Sequence, residues 1–276
     1  MYFRQMLNRM LKIEKNTINK MYLNEINIKL QKLEQAVKLF QEDDAQLPQY
    51  IEMLNEFVRS VSNPKYRYSK QTNGGFKTNL DIFNPVYLDD LVTQMVRKIV
   101  EIDKEGITWG HQRFTTHLKF YQKTLFINNR NPALSFNNST KFLMLAQNID
   151  MQYRMTGKKT FNKYKMVLPA LLFHITRHVT EEHFIRTDYY SGLAKGTFEK
   201  GKSIVIAEHI EDGWQPDLSE TNIDAFFVLR KKHNDYKKIN DLDLGLIEVL
   251  YETIKKYLLE PQIEVEDLYK HGYMVK

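Results

Sequence analysis

A chain of 276 residues that is 42% hydrophobic, with 16 Phe and 16 Tyr, is long enough for one large or two small domains and apolar enough to build a core, which excludes global disorder. It has no cysteine, so disulfides, thiolate catalysis and cysteine-ligated metal sites are excluded by residue type. The net charge of +6 is spread unevenly: His111–Lys165 carries ten Lys/Arg against one acid, Asp150, whereas Val205–Lys276 carries nine basic and fifteen acidic residues.

The opening Met1-Tyr2-Phe3-Arg4-Gln5-Met6 is broken by charge, and no apolar run has the length of a signal peptide or a membrane span. The expectation is a cytoplasmic protein with no membrane partner. Apolar residues then recur at Leu23, Ile26, Leu30, Leu33, Val37 and Phe40, and again at Leu47, Ile51, Leu54, Val58 and Val61. Spacings of three and four predict two amphipathic helices, joined at the acidic turn Glu42-Asp43-Asp44 before Pro48. Residues 5–61 therefore read as an antiparallel helical hairpin, whose apolar stripe serves either core packing or self-association.

Residues 63–77 mix Lys65, Tyr66, Arg67, Tyr68, Lys70 and Lys77 with Gly74-Gly75 and read as a loop. A helix over 87–105 carries Leu88, Leu91, Val92, Met95, Val96 and Ile99 on one face, with Gly106 as its stop, and a second is expected over 108–125. That pair resembles a helix-turn-helix with His111, Gln112, Arg113, Thr115, Thr116 and Lys119 facing a groove. Helices are also expected over 141–155 and over 164–184, the latter despite Pro169. Ser203–Ala207 and Ala225–Leu229, rich in β-branched and aromatic residues, predict strands, and Asp241 or Asp243 caps a last helix bearing Leu246, Ile247, Leu250, Ile254, Tyr257 and Leu258. The expected fold is α+β, predominantly α: an N-terminal antiparallel helical hairpin, a central basic helical region, a small antiparallel β-hairpin and a C-terminal amphipathic helix. The expected division is a hairpin over 1–62, a basic aromatic linker over 63–85 and a main α+β domain over 86–276.

The chemistry follows from the charge. Lys and Arg displace counterions from a phosphate backbone, and aromatics stack on unpaired bases. Residues 63–77 and 111–165 hold both ingredients, so Lys65, Tyr66, Arg67, Tyr68, Lys70, Lys77, Arg113, Lys119, Lys123, Arg130, Arg154, Lys158, Lys159 and Lys163 are candidate nucleic-acid contacts, for RNA or DNA. The C-terminal acids offer an internal match for the same charge. An RNA- or DNA-binding protein, of the kind phages, viruses and mobile elements carry, is the leading expectation, with a homo-oligomeric scaffold built on the N-terminal hairpin as another.

His174, His178 and His183 form the one histidine-dense stretch. On a helix His174 and His178 share a side, while His183 lies about 140° round from His178. Ile175 stands where a His-Glu-x-x-His motif has its carboxylate, and no metal or cofactor is expected. The run from Arg177 through His178 to His183 resembles the Arg-polar-x3–5-His pattern of HEPN-type ribonucleases. That resemblance implies a metal-independent ribonuclease in which the cation of Arg177 and the imidazole of His183 act on the scissile phosphate.

Gly196-Thr197-Phe198-Glu199-Lys200-Gly201-Lys202-Ser203 spells a P-loop. A P-loop needs a strand before it and a helix after it. Here the following Ile204-Val205-Ile206 favours a strand, so Gly201 is expected in a turn.

Overall fold

The computed structural model describes residues 2–15, 17–62, 70–72, 75–77, 86–100, 106–121, 133–153, 162–230 and 241–259. The N-terminal region meets the expectation. Helices α1 (Tyr2–Ile13), α2 (Thr17–Glu42) and α3 (Leu47–Ser62) form a hairpin preceded by one further helix. Every residue of both apolar stripes is buried, and the Phe40 and Tyr50 rings stack at 5.6 Å. Asp43 turns the corner: its carboxylate accepts the Ala45 N–H at 3.0 Å and so satisfies an amide that the start of a helix leaves open. Arg4 clamps α1 to α2 through Glu34 and Asn27.

Beyond residue 86 the fold departs from a mainly helical one. After α4 (Val86–Ile99) come β3 (Ile107–Gln112), β4 (Thr115–Tyr121), β5 (Ala133–Asn138), β6 (Phe142–Tyr153) and β7 (Asn162–Val179). Then follow α5 (Glu181–Thr197), β8 (Lys202–Ile210), β9 (Ala225–Val228) and α6 (Leu244–Leu259); β1 (Lys70–Thr72) and β2 (Gly75–Lys77) pair by themselves. A five-stranded mixed sheet in the order β3-β6-β7-β8-β9 is the centre, antiparallel from β3 to β7 and parallel from β7 to β9. The predominantly α fold is thus corrected to a central sheet with flanking helices. Where helices were expected over 108–125, 141–155 and 164–184, the described residues form strands as far as Tyr121, Tyr153 and Val179, with a helix only from Glu181, which also removes the helix-turn-helix. β8 and β9 are parallel neighbours joined through residues 211–224, not an antiparallel hairpin.

The physical reason is burial on both faces. In β6 the consecutive Leu143, Met144, Leu145 and Ala146 are all buried, as are Leu171, Leu172 and Phe173 in β7. A strand covered on both sides loses the alternation that marks it, and its apolar run then reads like a buried helix. One set, Leu143, Leu145, Leu171, Phe173, Ile204 and Ile206, packs on the helical layer of α1–α4 and α6; Met144, Ala146 and Leu172 face α5 and Phe114. Pro169 is accommodated at a bulge: Leu145 pairs with Leu171 and Ala146 with Pro169, leaving Ala170 as the extra residue.

Gly201 lies in a turn, as expected. Its N–H donates to the Phe198 carbonyl at 2.8 Å, and Lys202 opens a strand. The order is helix, turn, strand, the reverse of a phosphate-cradling loop. Among the described residues no helix is long and apolar enough to cross a membrane.

Candidate nucleic-acid interface

A step in the sheet creates the site. β6 begins at Phe142 and its pairing with β7 ends at Leu143 opposite Phe173, so His174–Val179 run on beyond it, still paired to β8. β3 stops at the same level, Gln112 opposite Phe142. The space left at this end is a cleft of about 470 Å³, closed on one side by the first half of α5. Thr180 caps α5, its hydroxyl accepting the His183 N–H, and the helix then lays His183, Arg186, Thr187 and Tyr190 along the cleft at helical spacing.

The walls are aromatic and the rim is cationic. Phe142 lies 5.0 Å from the His174 ring and 5.0 Å from the Tyr190 ring. Asp89, from the first turn of α4, is the one carboxylate among the lining residues, and it holds His111 Nε2 at 3.0 Å. Lys141 and Arg186 are exposed, and neither has an ion-pair partner among the described residues.

His174 forms the buried floor. Its Nε2 lies 3.4 Å from Ser191 Oγ, which lies 2.6 Å from Ser203 Oγ and donates to the Thr187 carbonyl at 2.9 Å. Burial lowers the imidazole pKa to about 3, so the floor is polar but uncharged. Ser191 is fully buried and engaged, which makes it a packing residue and not a nucleophile.

A separate buried cluster sits on β8. Glu208 accepts Arg230 Nε at 3.0 Å, and Arg230 Nη2 donates to the Tyr87 hydroxyl at 2.9 Å. Burial, then the Glu208 charge, pushes the Tyr87 phenol well up. Arg177 belongs here: its Nε is 4.0 Å from Glu208, and it is not among the residues that line the cleft. The resemblance to HEPN ribonucleases had joined Arg177 to His183; the strand sends the first to Glu208, and α5 sends the second to the cleft. His174 and His178 both lie on β7, and among the described residues no group of three or more His, Asp or Glu is placed to hold a metal ion.

Of the expected nucleic-acid contacts, Arg113 is exposed in the turn between β3 and β4. Lys70, Lys77, Lys119 and Lys163 fall on the backbones of β1, β2, β4 and β7, with their side chains outside the described set. Lys65, Tyr66, Arg67, Tyr68, Lys123, Arg130, Arg154, Lys158 and Lys159 lie outside the described residues. Sequence reasoning passed over Arg186, Tyr190 and Asp89. The signal for the first two was the spacing His183, Arg186, Thr187, Tyr190, legible only once the helix is known to start after Thr180.

With a five-stranded sheet, antiparallel then parallel, and a cleft at its stepped end in view, comparison with known proteins becomes informative. No protein family matches the chain, and no curated protein does. The fold resembles that of BbvCI. A chain of the native BbvCI A2B2 tetramer superimposes with a TM-score of 0.59 over 94% of this chain and 97% of that one, at 11% sequence identity. At that identity the likeness to BbvCI is one of fold, and it covers the helical layer as well as the sheet.

Proposed function

We propose that the protein binds nucleic acid by its phosphate backbone, with the cleft at the stepped end of the sheet as its anchor. The observation that carries this is the pair of exposed cations, Lys141 and Arg186, with no ion-pair partner among the described residues, beside an aromatic wall. Free cations release counterions when they meet phosphate, whereas paired ones must first be separated from their acids. Two further facts support the reading. Residues 111–165 carry the +9 excess, and Lys141 lies within it. BbvCI, whose fold this chain shares, is a restriction endonuclease. The candidate contacts of residues 63–77 and 111–165 would extend the anchor along a strand.

The test is a titration of single- and double-stranded oligonucleotides at rising salt. Each phosphate neutralised adds about −0.7 to the slope of log K against log[salt] on single strands and about −0.9 on duplex. A face using about five cations should therefore show a slope of roughly −3.5 to −4.5, and the variant with both Lys141→Ala and Arg186→Ala should flatten it by up to about 2 while weakening all sequences alike. An unchanged slope in that variant removes the cleft from the interface.

Two further readings have support, one in the cleft and one on the outer face of α5. RNA cleavage by His183 is supported by its place in the cleft, and loss of RNA cleavage in His183→Ala is its test. Self-association is supported by Ile185 and Tyr189, large apolar side chains exposed one turn apart on α5. Its test is a concentration-dependent mass that Ile185→Glu abolishes.

A further inference from the structure

The shape of the cleft says more than its charge. A duplex cannot enter a space of about 470 Å³, but that volume falls in the range that holds one small organic ligand. Its composition is layered. Lys141 and Arg186 stand exposed at the rim, Phe142 and Tyr190 are half-buried in the wall, and His174 lies buried and uncharged at the floor. Thr176, also in the lining, donates its hydroxyl proton to the His178 carbonyl at 3.1 Å and so faces the cleft as an acceptor. Cation outside, ring within and neutral polar groups at the bottom match a molecule with a phosphate at one end, a flat heteroaromatic ring in the middle and hydrogen-bonding edges at the other.

We propose that the cleft seats a single unpaired nucleotide, its phosphate between Lys141 and Arg186 and its base against Phe142 and Tyr190. This rests on the nucleic-acid reading above and sharpens it. Within a strand the nucleotide must leave its stack, which costs least where it has no pairing partner, so the seat selects single strands, gaps and mismatches over intact duplex. Base stacking releases no counterions, so Tyr190 sets affinity without touching the salt slope, while Lys141 and Arg186 set the slope.

The experiment measures affinity of the full chain for four probes: a single-stranded oligonucleotide, the same strand in a duplex with one base left unpaired, the fully paired duplex, and adenosine monophosphate alone. The expected result is preference for the first two over the paired duplex. Tyr190→Ala should weaken single-strand binding roughly 5- to 150-fold with the slope unchanged, and Tyr190→Phe, which keeps the ring, should restore it. Far-ultraviolet circular dichroism confirms that the variants are folded. If strands bind but paired and unpaired probes are equal, or Tyr190→Ala binds single strands as the parent does, the seat is overturned while backbone binding stands. Binding of adenosine monophosphate that is lost in Tyr190→Ala, without binding of any strand, supports the seat and overturns the nucleic-acid reading. Failure of all four probes overturns both.

Discussion

At the scale of single residues, His174 shows how tightly the cleft floor is tied to folding. Its ring is enclosed by Phe142 and the Ser191–Ser203 pair, and burial lowers its pKa from the ordinary 6.5 to about 3. Between those values the unfolded chain takes up a proton that the folded chain refuses. The folded state therefore loses stability as pH falls through that window, at up to about 1.4 kcal/mol per pH unit. Urea unfolding from pH 7 to pH 4 should show this decline, and His174→Gln, which keeps a polar partner for Ser191 but does not titrate, should flatten it. A decline of equal steepness in His174→Gln would place its origin in other groups.

At the scale of elements, the turn from α5 into β8 distinguishes packing from phosphate binding at the two glycines of the P-loop spelling. A Cβ at Gly201 would sit 2.5 Å from the Pro169 carbonyl oxygen and 2.9 Å from that of Phe198, both backbone atoms that cannot swing away. Gly201→Ala should therefore destabilise the protein by about 1–3 kcal/mol. At Gly196, in the last turn of α5, a Cβ meets nothing within 4 Å. Gly196→Ala should be neutral or stabilising by up to about 1 kcal/mol, since alanine favours the helix and narrows the unfolded ensemble. Thermal melts of both variants check the pair. A nucleotide-cradling loop would need both glycines for the approach of phosphate, and their opposite effects on stability follow only from a helix-turn-strand connection.

At the scale of the whole molecule, the helical layer and the sheet share one core. Phe40 of α2 stacks on Tyr50 of α3 and meets Tyr251 of α6 edge-on at 5.6 Å, in the same apolar cluster as Phe173 and Ile206 of the sheet. Trp109 of β3 reports on the far side of that cluster: its indole lies 5.7 Å from Phe173 and donates to Thr93 of α4 at 3.2 Å. Phe40→Ala should cost about 3–5 kcal/mol through the cavity it leaves. Because the core is continuous, tryptophan fluorescence and helical circular dichroism should lose their signals at one shifted urea midpoint. Two separated midpoints would show that residues 1–62 unfold as an independent unit.

What the sequence by itself determined lies where a helix has one wet face or where residue type marks a strand. The stripes of α2, α3 and α6 recur with a helical period because solvent covers their other side, that of α4 stands out against the polar Asp90, Thr93 and Gln94 although these too are buried, and the strands at Ser203–Ala207 and Ala225–Val228 were marked by β-branched and aromatic side chains. The uneven charge and the lack of cysteine are equally sequence facts, and they frame the functional reading. The tertiary structure decided the rest. β6 and β7 became strands at their apolar runs because both faces of the sheet are covered there, which erases the period of two that would have announced them. The cleft, too, is a property of pairing: it exists because β7 outruns β6, and it joins Asp89, His111, Lys141, His174 and Arg186 from five separate elements and turns. Spacing along a chain records neighbours on one element. Residues brought together by the register of a sheet leave no such record.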